Sequence, residues 1–413
     1  MTLPESAPPS GPAPCVSVLV TTYNRSGVLP RAIESILMQD FADFEVVVVD
    51  DQSADDTPQV MAKYTDPRIR YIRNVENMAR KGGDRSIFQR FVNEQARGEF
   101  FLWLCDDDYW LPKDLLARQI RIMRDHSSVA MVFGGMAQLY PTLVPLPIPN
   151  EPYLTYEYVG GADNVTFARN VYPNGFLSSE IFLDLFAEDP KNRNNVTGGT
   201  MFRATSFRRA NAFAHGGQVR WQSGYLMLAG TATMGDVWYL DEPCVVATVE
   251  LSSASYRGTQ LDHMRDCLRS IDAAFRTSLD ETDSNRGARM AFIRVKMMHS
   301  IFQTYLANKI SYRLGGFRSN PLARIEKIFE TEIKCAEFYE SLDFFGVPRS
   351  WQNKMAIALS AFPASALRIL DGGLRRVFGI SPLWWKNLMK FPSDIAESLV
   401  ASGPTTTTLA PHA

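Results

Sequence analysis

The sequence predicts an α/β fold: a mainly parallel sheet flanked by helices, followed by a mostly helical carboxyl-terminal extension. Three observations carry that expectation. From Val16 to Phe133, short apolar runs alternate with amphipathic segments, the pattern of βαβ units. Phe44–Val49 is apolar and β-branched with almost no polar alternation, as suits a strand covered on both faces. Several of these runs then stop abruptly at polar residues, and ligands of such sheets bind beyond the carboxyl ends of the strands. The chain has 413 residues, 46% of them hydrophobic and 21% charged, enough at about 150 residues per domain for two to three ordinary globular units.

In chain order, Val16–Val20 reads as a first strand ending at Thr21-Thr22-Tyr23-Asn24. Ser26 is the expected N-cap of a helix whose Ala32, Ile33, Ile36 and Leu37 share one face. Phe44–Val49 is the second strand and stops at Asp50-Asp51; a helix is expected from Pro58 to Tyr64. Arg70–Arg73 reads as a third strand, Ile87–Ala96 as a helix, and Glu99–Leu104 as a fourth strand running into Cys105-Asp106-Asp107-Asp108. Pro112 is the expected start of a helix through Leu116 and Ile120. Val129–Phe133 and Val237–Leu240 look like strands within a mixed stretch, and Leu261–Phe275, Ala288–Leu314 and Leu322–Leu342 have helical periodicity. The expected division is a leader over 1–14, an α/β domain over 15–255, a helical extension over 256–398 and a disordered tail over 399–413.

Composition narrows the function. Lys plus Arg number 43 against 45 Asp plus Glu, a net charge of −2, which argues against a nucleic-acid-binding protein. Five scattered cysteines without a CxxC pair support neither a disulfide framework nor a structural zinc site, and fit a cytoplasmic setting. The histidines lack metal-ligand spacing, so a metal here would be held by carboxylates. The amino terminus does not read as a signal peptide, and no run of about 18 uncharged apolar residues suggests a spanning helix.

The chemistry lies in the acids at the strand ends. Asp106-Asp107-Asp108 can hold a hard divalent cation that bridges substrate phosphates, or can favour the N-terminus of a following helix. Asp51 can bond a ribose or base edge, or be a turn residue. Together, on adjacent strand ends of one sheet, the two acidic sites point to nucleotide and metal.

Three segments, VSVLVTTYNR, FEVVVVDDQSADDT and GEFFLWLCDDDYWLP, resemble in order and spacing the opening of the inverting family 2 glycosyltransferases of bacterial surface-polysaccharide synthesis. The resemblance runs from Val16 to about Glu250. It implies a GT-A fold and transfer of a sugar from a nucleotide diphosphate sugar, UDP or dTDP being favoured, to a saccharide or lipid-linked glycan acceptor, with Mn²⁺ or Mg²⁺. It implies that Thr21, Tyr23 and Asn24 lie along the base pocket and that Asp51 bonds the base. Asp106 resembles the ribose or diphosphate contact, and Asp107 the metal ligand. Arg80, Lys81 and Arg85 are the basic residues expected after the third strand. Gly199 and Thr200 fall in the small-residue segment near the acceptor, where Trp221 could stack on a sugar.

One position departs from the family. The expected catalytic carboxylate falls on Ser223-Gly224, where there is none. His215, Glu180 and Asp236 are the alternative bases, an acidic acceptor would need little help, and a non-catalytic nucleotide- or glycan-binding relative is the other reading. A nucleotidyltransferase would want a glycine-rich loop that TTYNRSGVLPR lacks. Residues 354–390 mix apolar and basic residues with Trp384-Trp385, as a peripheral membrane contact would. A hairpin packed on the catalytic domain or on a second subunit of a homo-oligomer is the preferred reading.

Overall fold

The computed structural model describes residues 11–77, 91–139, 157–160, 165–169, 171–188, 197–210, 223–248, 260–279 and 284–313. Four parallel strands form one half of the sheet: β1 (Val16–Thr22), β2 (Phe44–Asp50), β3 (Ile69–Arg73) and β4 (Phe100–Cys105), in the order β3-β2-β1-β4. The order continues through β10 (Met201–Arg203), β6 (Val129–Leu139) and β11 (Asp236–Thr248) to the two-residue β5 (Tyr109–Trp110). β10 is antiparallel to both β4 and β6, whereas β6 and β11 are parallel. The hairpin-like β7 (Glu157–Gly160) and β8 (Val165–Arg169) extend β6, and β9 (Gly175–Leu177) pairs with the start of β11. The expected α/β architecture with a mainly parallel sheet is therefore the one found.

Residue alternation within the strands explains why both faces are covered. Val46 and Val48 point into one core with Val18, Val20, Leu102 and Leu104, while Val47 and Val49 point into the other with Leu19, Phe101 and Phe133. Each such side chain, when fully buried, contributes about 1.5–3 kcal/mol. The first core is closed by α1 (Leu29–Leu37) and α3 (Leu115–Asp125), through Ile33, Ile36, Leu116 and Ile120. A short α2 (Thr57–Met61) adds Met61 to it. The second core is closed by α4 (Ser179–Glu188), α5 (Ala204–Ala210) and α6 (Ser223–Ala232), with α7 (Gln260–Leu279) and α8 (Ser284–Arg313). Thus Leu268, Ile271, Phe275, Ile293 and Met297, which the sequence assigns to a helical extension, belong to the same core as the sheet.

Several local expectations change. Ser26 does not cap α1, whose N-cap position is Val28; the Ser26 N–H instead donates to Asp55 Oδ2 at 3.0 Å, across two loops. The helix expected from Pro58 to Tyr64 is the single turn Thr57–Met61, and only Phe91–Gln95, a π-type turn, is described of the one expected over Ile87–Ala96. Pro112 does not start the helix after the acids. β5 intervenes, and α3 begins at Leu115. The acids at 106–108 therefore do not sit on a helix N-terminus. The segments 322–342 and 354–390 lie outside the described residues.

Candidate active site

Strand register builds the site. In the β1–β2 pairing Thr22 is level with Asp50, and in the β1–β4 pairing Thr21 is level with Cys105. One residue further on, Asp51 and Asp106 flank the end of β1 on either side. Thr21, Tyr23, Asp51 and Asp106–Asp108 are thus gathered at one carboxyl edge, as the sequence suggests.

The loops after β1 and β2 are tied to each other. Asn24 has a left-handed backbone (φ 54°), a conformation Asn tolerates. Its N–H donates to Ser53 Oγ at 2.9 Å and its Oδ1 accepts from the Ala54 N–H at 2.7 Å. The Asn24 side chain thus braces the β2 loop. Asp51 is buried; its N–H donates to Thr22 O at 2.9 Å, and its Oδ1 accepts from Asn74 Nδ2 at 2.9 Å. Asn77 Nδ2 donates to the Asp51 carbonyl at 3.1 Å. Trp103 Nε1 donates to Thr21 Oγ1 at 3.3 Å, and Tyr23 is exposed beside them, its ring open to solvent. Asn74 and Trp103 were not singled out from sequence, because strand-end contacts depend on register.

On the other side of β1 the carboxylates crowd. Burial, and then the charge of Asp107, push the Asp106 carboxyl up to about 7, with Thr22 and the Tyr23 backbone partly offsetting them. The same two causes push Asp108 up to about 8. Arg25 Nη1 stands 3.6 Å from Asp107 Oδ2. Ligand atoms of Cys105, Asp107 and Asp108 all lie within 4.8 Å of one another. Two hard carboxylate oxygens beside a softer thiol sulfur are a set that fits a divalent cation. The group takes in Asp108 as well as Asp107 and does not include Asp106.

The segment carrying Gly199 and Thr200 borders the acids. A Cβ on Gly198 would come 3.6 Å from Asp108 Oδ2, and the Gly198 carbonyl accepts from Trp110 Nε1 at 2.8 Å. The Gly199 carbonyl accepts from Gln119 Nε2 at 2.8 Å, and Thr200 is fully buried.

The alternative bases lie elsewhere. Asp236 opens β11 and accepts from the Ser179 N–H at 3.0 Å, whereas the far end of β11 meets Asp108 through Thr248 N, also 3.0 Å. Glu180 lies in the first turn of α4, near the start of β11, and pairs with Arg289 at 2.8 Å. Ser223 is the first residue of α6, so the position that departs from the family is at a helix start. His215, Trp221, Arg80, Lys81 and Arg85 lie outside the described residues.

Comparison with known proteins agrees with this geometry. Residues 17–171 match the model of Glycosyl transferase family 2. The chain is 37% identical over 124 residues to the GalNAc(5)-diNAcBac-PP-undecaprenol beta-1,3-glucosyltransferase of Campylobacter jejuni, covering 30% of this chain and 38% of that protein. It is 42% identical over 107 residues to the succinoglycan biosynthesis protein ExoO of Rhizobium meliloti, covering 26% and 29%. The chain therefore spans well under half the length of these relatives. Among solved structures, residues 1–349 of TarS from Staphylococcus aureus, in complex with UDP-GlcNAc, superpose with a TM-score of 0.54 at 18% identity, covering 87% of this chain and 91% of that one. That likeness shows a shared GT-A fold. Its strand ends, its acids and its matched segment thus agree: residues 17–171 are similar to glycosyl transferase family 2.

Proposed function

We propose that this protein is a glycosyltransferase that moves a sugar from a nucleoside diphosphate sugar to a saccharide acceptor with inversion, in the assembly of a bacterial surface glycan. The observation that carries this reading is the register of β1, β2 and β4, which brings Thr21, Tyr23 and Asp51 to the same edge as Asp106, Asp107 and Asp108. Tyr23 offers a ring face to a base, and the buried Asp51 carboxylate can accept from its edge; the preference for UDP or dTDP rests on the family resemblance. Asp107 would hold Mn²⁺ or Mg²⁺, with Asp108 and Cys105 beside it. When bound, the cation supplies neutralisation of the charge that develops on the leaving diphosphate. Asp106 orients the ribose or diphosphate, and the glycines at 198 and 199 let the acceptor approach the anomeric carbon from the opposite side.

The curated relative acting on an undecaprenol-linked glycan supports a lipid-linked acceptor at the cytoplasmic face of the membrane. No described helix is long and apolar enough to cross a membrane; the segment proposed for a peripheral membrane contact is 354–390, from its mix of apolar and basic residues with Trp384-Trp385. We also keep the division into a catalytic unit over 15–255 and helices over 256–398. His215 is the base to be tested first, because Glu180 and Asp236 stand at the opposite end of β11 from Asp108; Arg80 or Arg85 are the nucleotide contacts, with Trp221 on the acceptor side.

A second reading, a binding-only relative, is favoured by one observation: α6 begins at Ser223 without a carboxylate. The test is release of nucleotide from UDP-, dTDP- and GDP-sugars with Mn²⁺ or Mg²⁺, beside calorimetry with each free nucleotide. Turnover of one donor that is lost with EDTA supports the transferase. Tight metal-dependent binding without turnover, even with glycan acceptors present, supports the second reading, and no binding refutes both.

A further inference from the structure

A closed ring of hydrogen bonds holds the backbone of the acidic turn from outside it. Arg31 Nη2 donates to the Asp107 carbonyl and to Thr248 Oγ1, each at 2.9 Å, and Thr248 Oγ1 donates to the same Asp107 carbonyl at 2.6 Å. The Thr248 hydroxyl therefore uses its one hydrogen on Asp107 and a lone pair on Arg31, so both its donor and its acceptor capacity are engaged. From the same residue, the backbone N–H donates to Asp108 Oδ1 at 3.0 Å. The guanidinium is itself placed by Tyr109, whose ring centroid lies 4.5 Å below Arg31 Cζ.

Three elements far apart in sequence meet here: the start of α1, the turn between β4 and β5, and the last residue of β11. Thr248 is 141 residues from Asp107, and Arg31 is 217 residues from Thr248. Three acidic side chains follow one another in this turn, and like charges side by side do not order one another. A carbonyl fixed by two donors, and a carboxylate fixed by a backbone N–H, supply what the acids lack. This is a preorganising shell of the sort that binding sites require.

Building on the donor-site reading, we propose that Arg31 and Thr248 are positioning residues that set the Asp107–Asp108 turn for the metal-bound diphosphate, and so couple donor affinity to the end of β11. The role is indirect, through the Asp107 carbonyl and the Asp108 carboxylate.

The test is Thr248→Val, which removes the hydroxyl but keeps shape and N–H, against Thr248→Ser, which restores the hydroxyl. Two readouts are taken: calorimetric affinity for UDP with Mn²⁺, and hydrogen exchange of the Asp108 and Trp110 amides in metal-free protein. The expected result for Thr248→Val is roughly tenfold weaker UDP binding and roughly tenfold faster exchange at this turn, with a melting temperature close to that of the parent. Thr248→Ser is expected to recover both. Arg31→Met, which keeps an aliphatic stem over Tyr109, is expected to move both readouts in the same direction and serves should Thr248→Val fail to fold. Parental exchange rates in the valine and methionine variants, or no recovery with serine, would overturn the proposal. Parent protein that binds no UDP with Mn²⁺ would remove the donor-site reading instead, and the exchange comparison would still decide whether the ring holds the turn.

Discussion

Replacing Asp107 by Asn changes one atom type at the centre of the site and has two consequences of opposite sign. Asp107 is the largest charge raising both Asp106 and Asp108, after burial itself. Their carboxyls rise from the ordinary 3.8 to about 7 and about 8, so the folded protein takes up protons that the unfolded chain does not. Stability from these groups is therefore fully present below about pH 4 and declines as pH rises towards 7 and 8. Ligand atoms in this cluster lie within 4.8 Å of one another. Two full charges at that separation repel by about 3.5 kcal/mol at an effective dielectric constant of 20. Because Asp108 is only part-ionised near neutrality, about 1–2 kcal/mol of this is relieved by Asp107→Asn at pH 8. Urea unfolding in EDTA between pH 5 and pH 8.5 should show the Asn variant more stable than the parent at pH 8, with the gap closing by pH 5. Calorimetry at pH 8 should show that Mn²⁺-dependent UDP binding is lost in the same variant. An Asn variant less stable than the parent at pH 8 in EDTA would refute the repulsion argument. Unchanged Mn²⁺-dependent UDP binding would remove Asp107 from the site.

Two further predictions concern the scaffold. Glu45 is buried, accepts from Ser17 Oγ at 2.6 Å and pairs with Arg97 Nη2 at 3.0 Å, so Glu45→Ala should destabilise by about 3 kcal/mol, read by urea unfolding, because it strands a part-buried guanidinium. A Cβ on Gly134 would fall 2.1 Å from Cys244 Sγ, so Gly134→Ala should cost about 1–3 kcal/mol, and a Cys244→Ala background should recover part of the loss; equal costs in both backgrounds would contradict the steric account.

What was legible in the sequence was whatever local pattern encodes. The runs at Val16, Phe44 and Phe100 are apolar without alternation because both faces of their strands are buried, and that pattern alone indicated a covered, mainly parallel sheet. The acids at Asp51 and Asp106–Asp108 stand directly after such runs, so the topology rule for parallel sheets brought them to one edge before any coordinates were needed. Where local rules competed with tertiary partners, they failed. Ser26 has the chemistry of a helix cap, but its N–H and its side chain both turn to Asp55 of the neighbouring loop, and the helix starts later, with Val28 at its N-cap position. Pro112 has the fixed φ of a first helical residue, yet the helix begins only at Leu115, with Asp114 at its N-cap position, and β5 separates the acids from it because Val245 and Val246 pair with Trp110 and Tyr109.

The sequence by itself thus determined the sheet, the identity of the acids and the edge they occupy, because strand periodicity and strand ends are properties of neighbouring residues. Only the tertiary structure decided what surrounds those acids. Arg25 facing Asp107, Arg31 and Thr248 gripping its carbonyl, Gly198 against Asp108 and Asn74 on Asp51 are pairs set by register and by the crossing of distant elements. The same holds for Glu180 and Asp236, whose carboxylates the sequence left open and which fold onto Arg289 and the Ser179 N–H. A hydrogen bond acts over about 3 Å, whereas residues 141 or 217 places apart are brought to that distance only by the packed sheet and its helices.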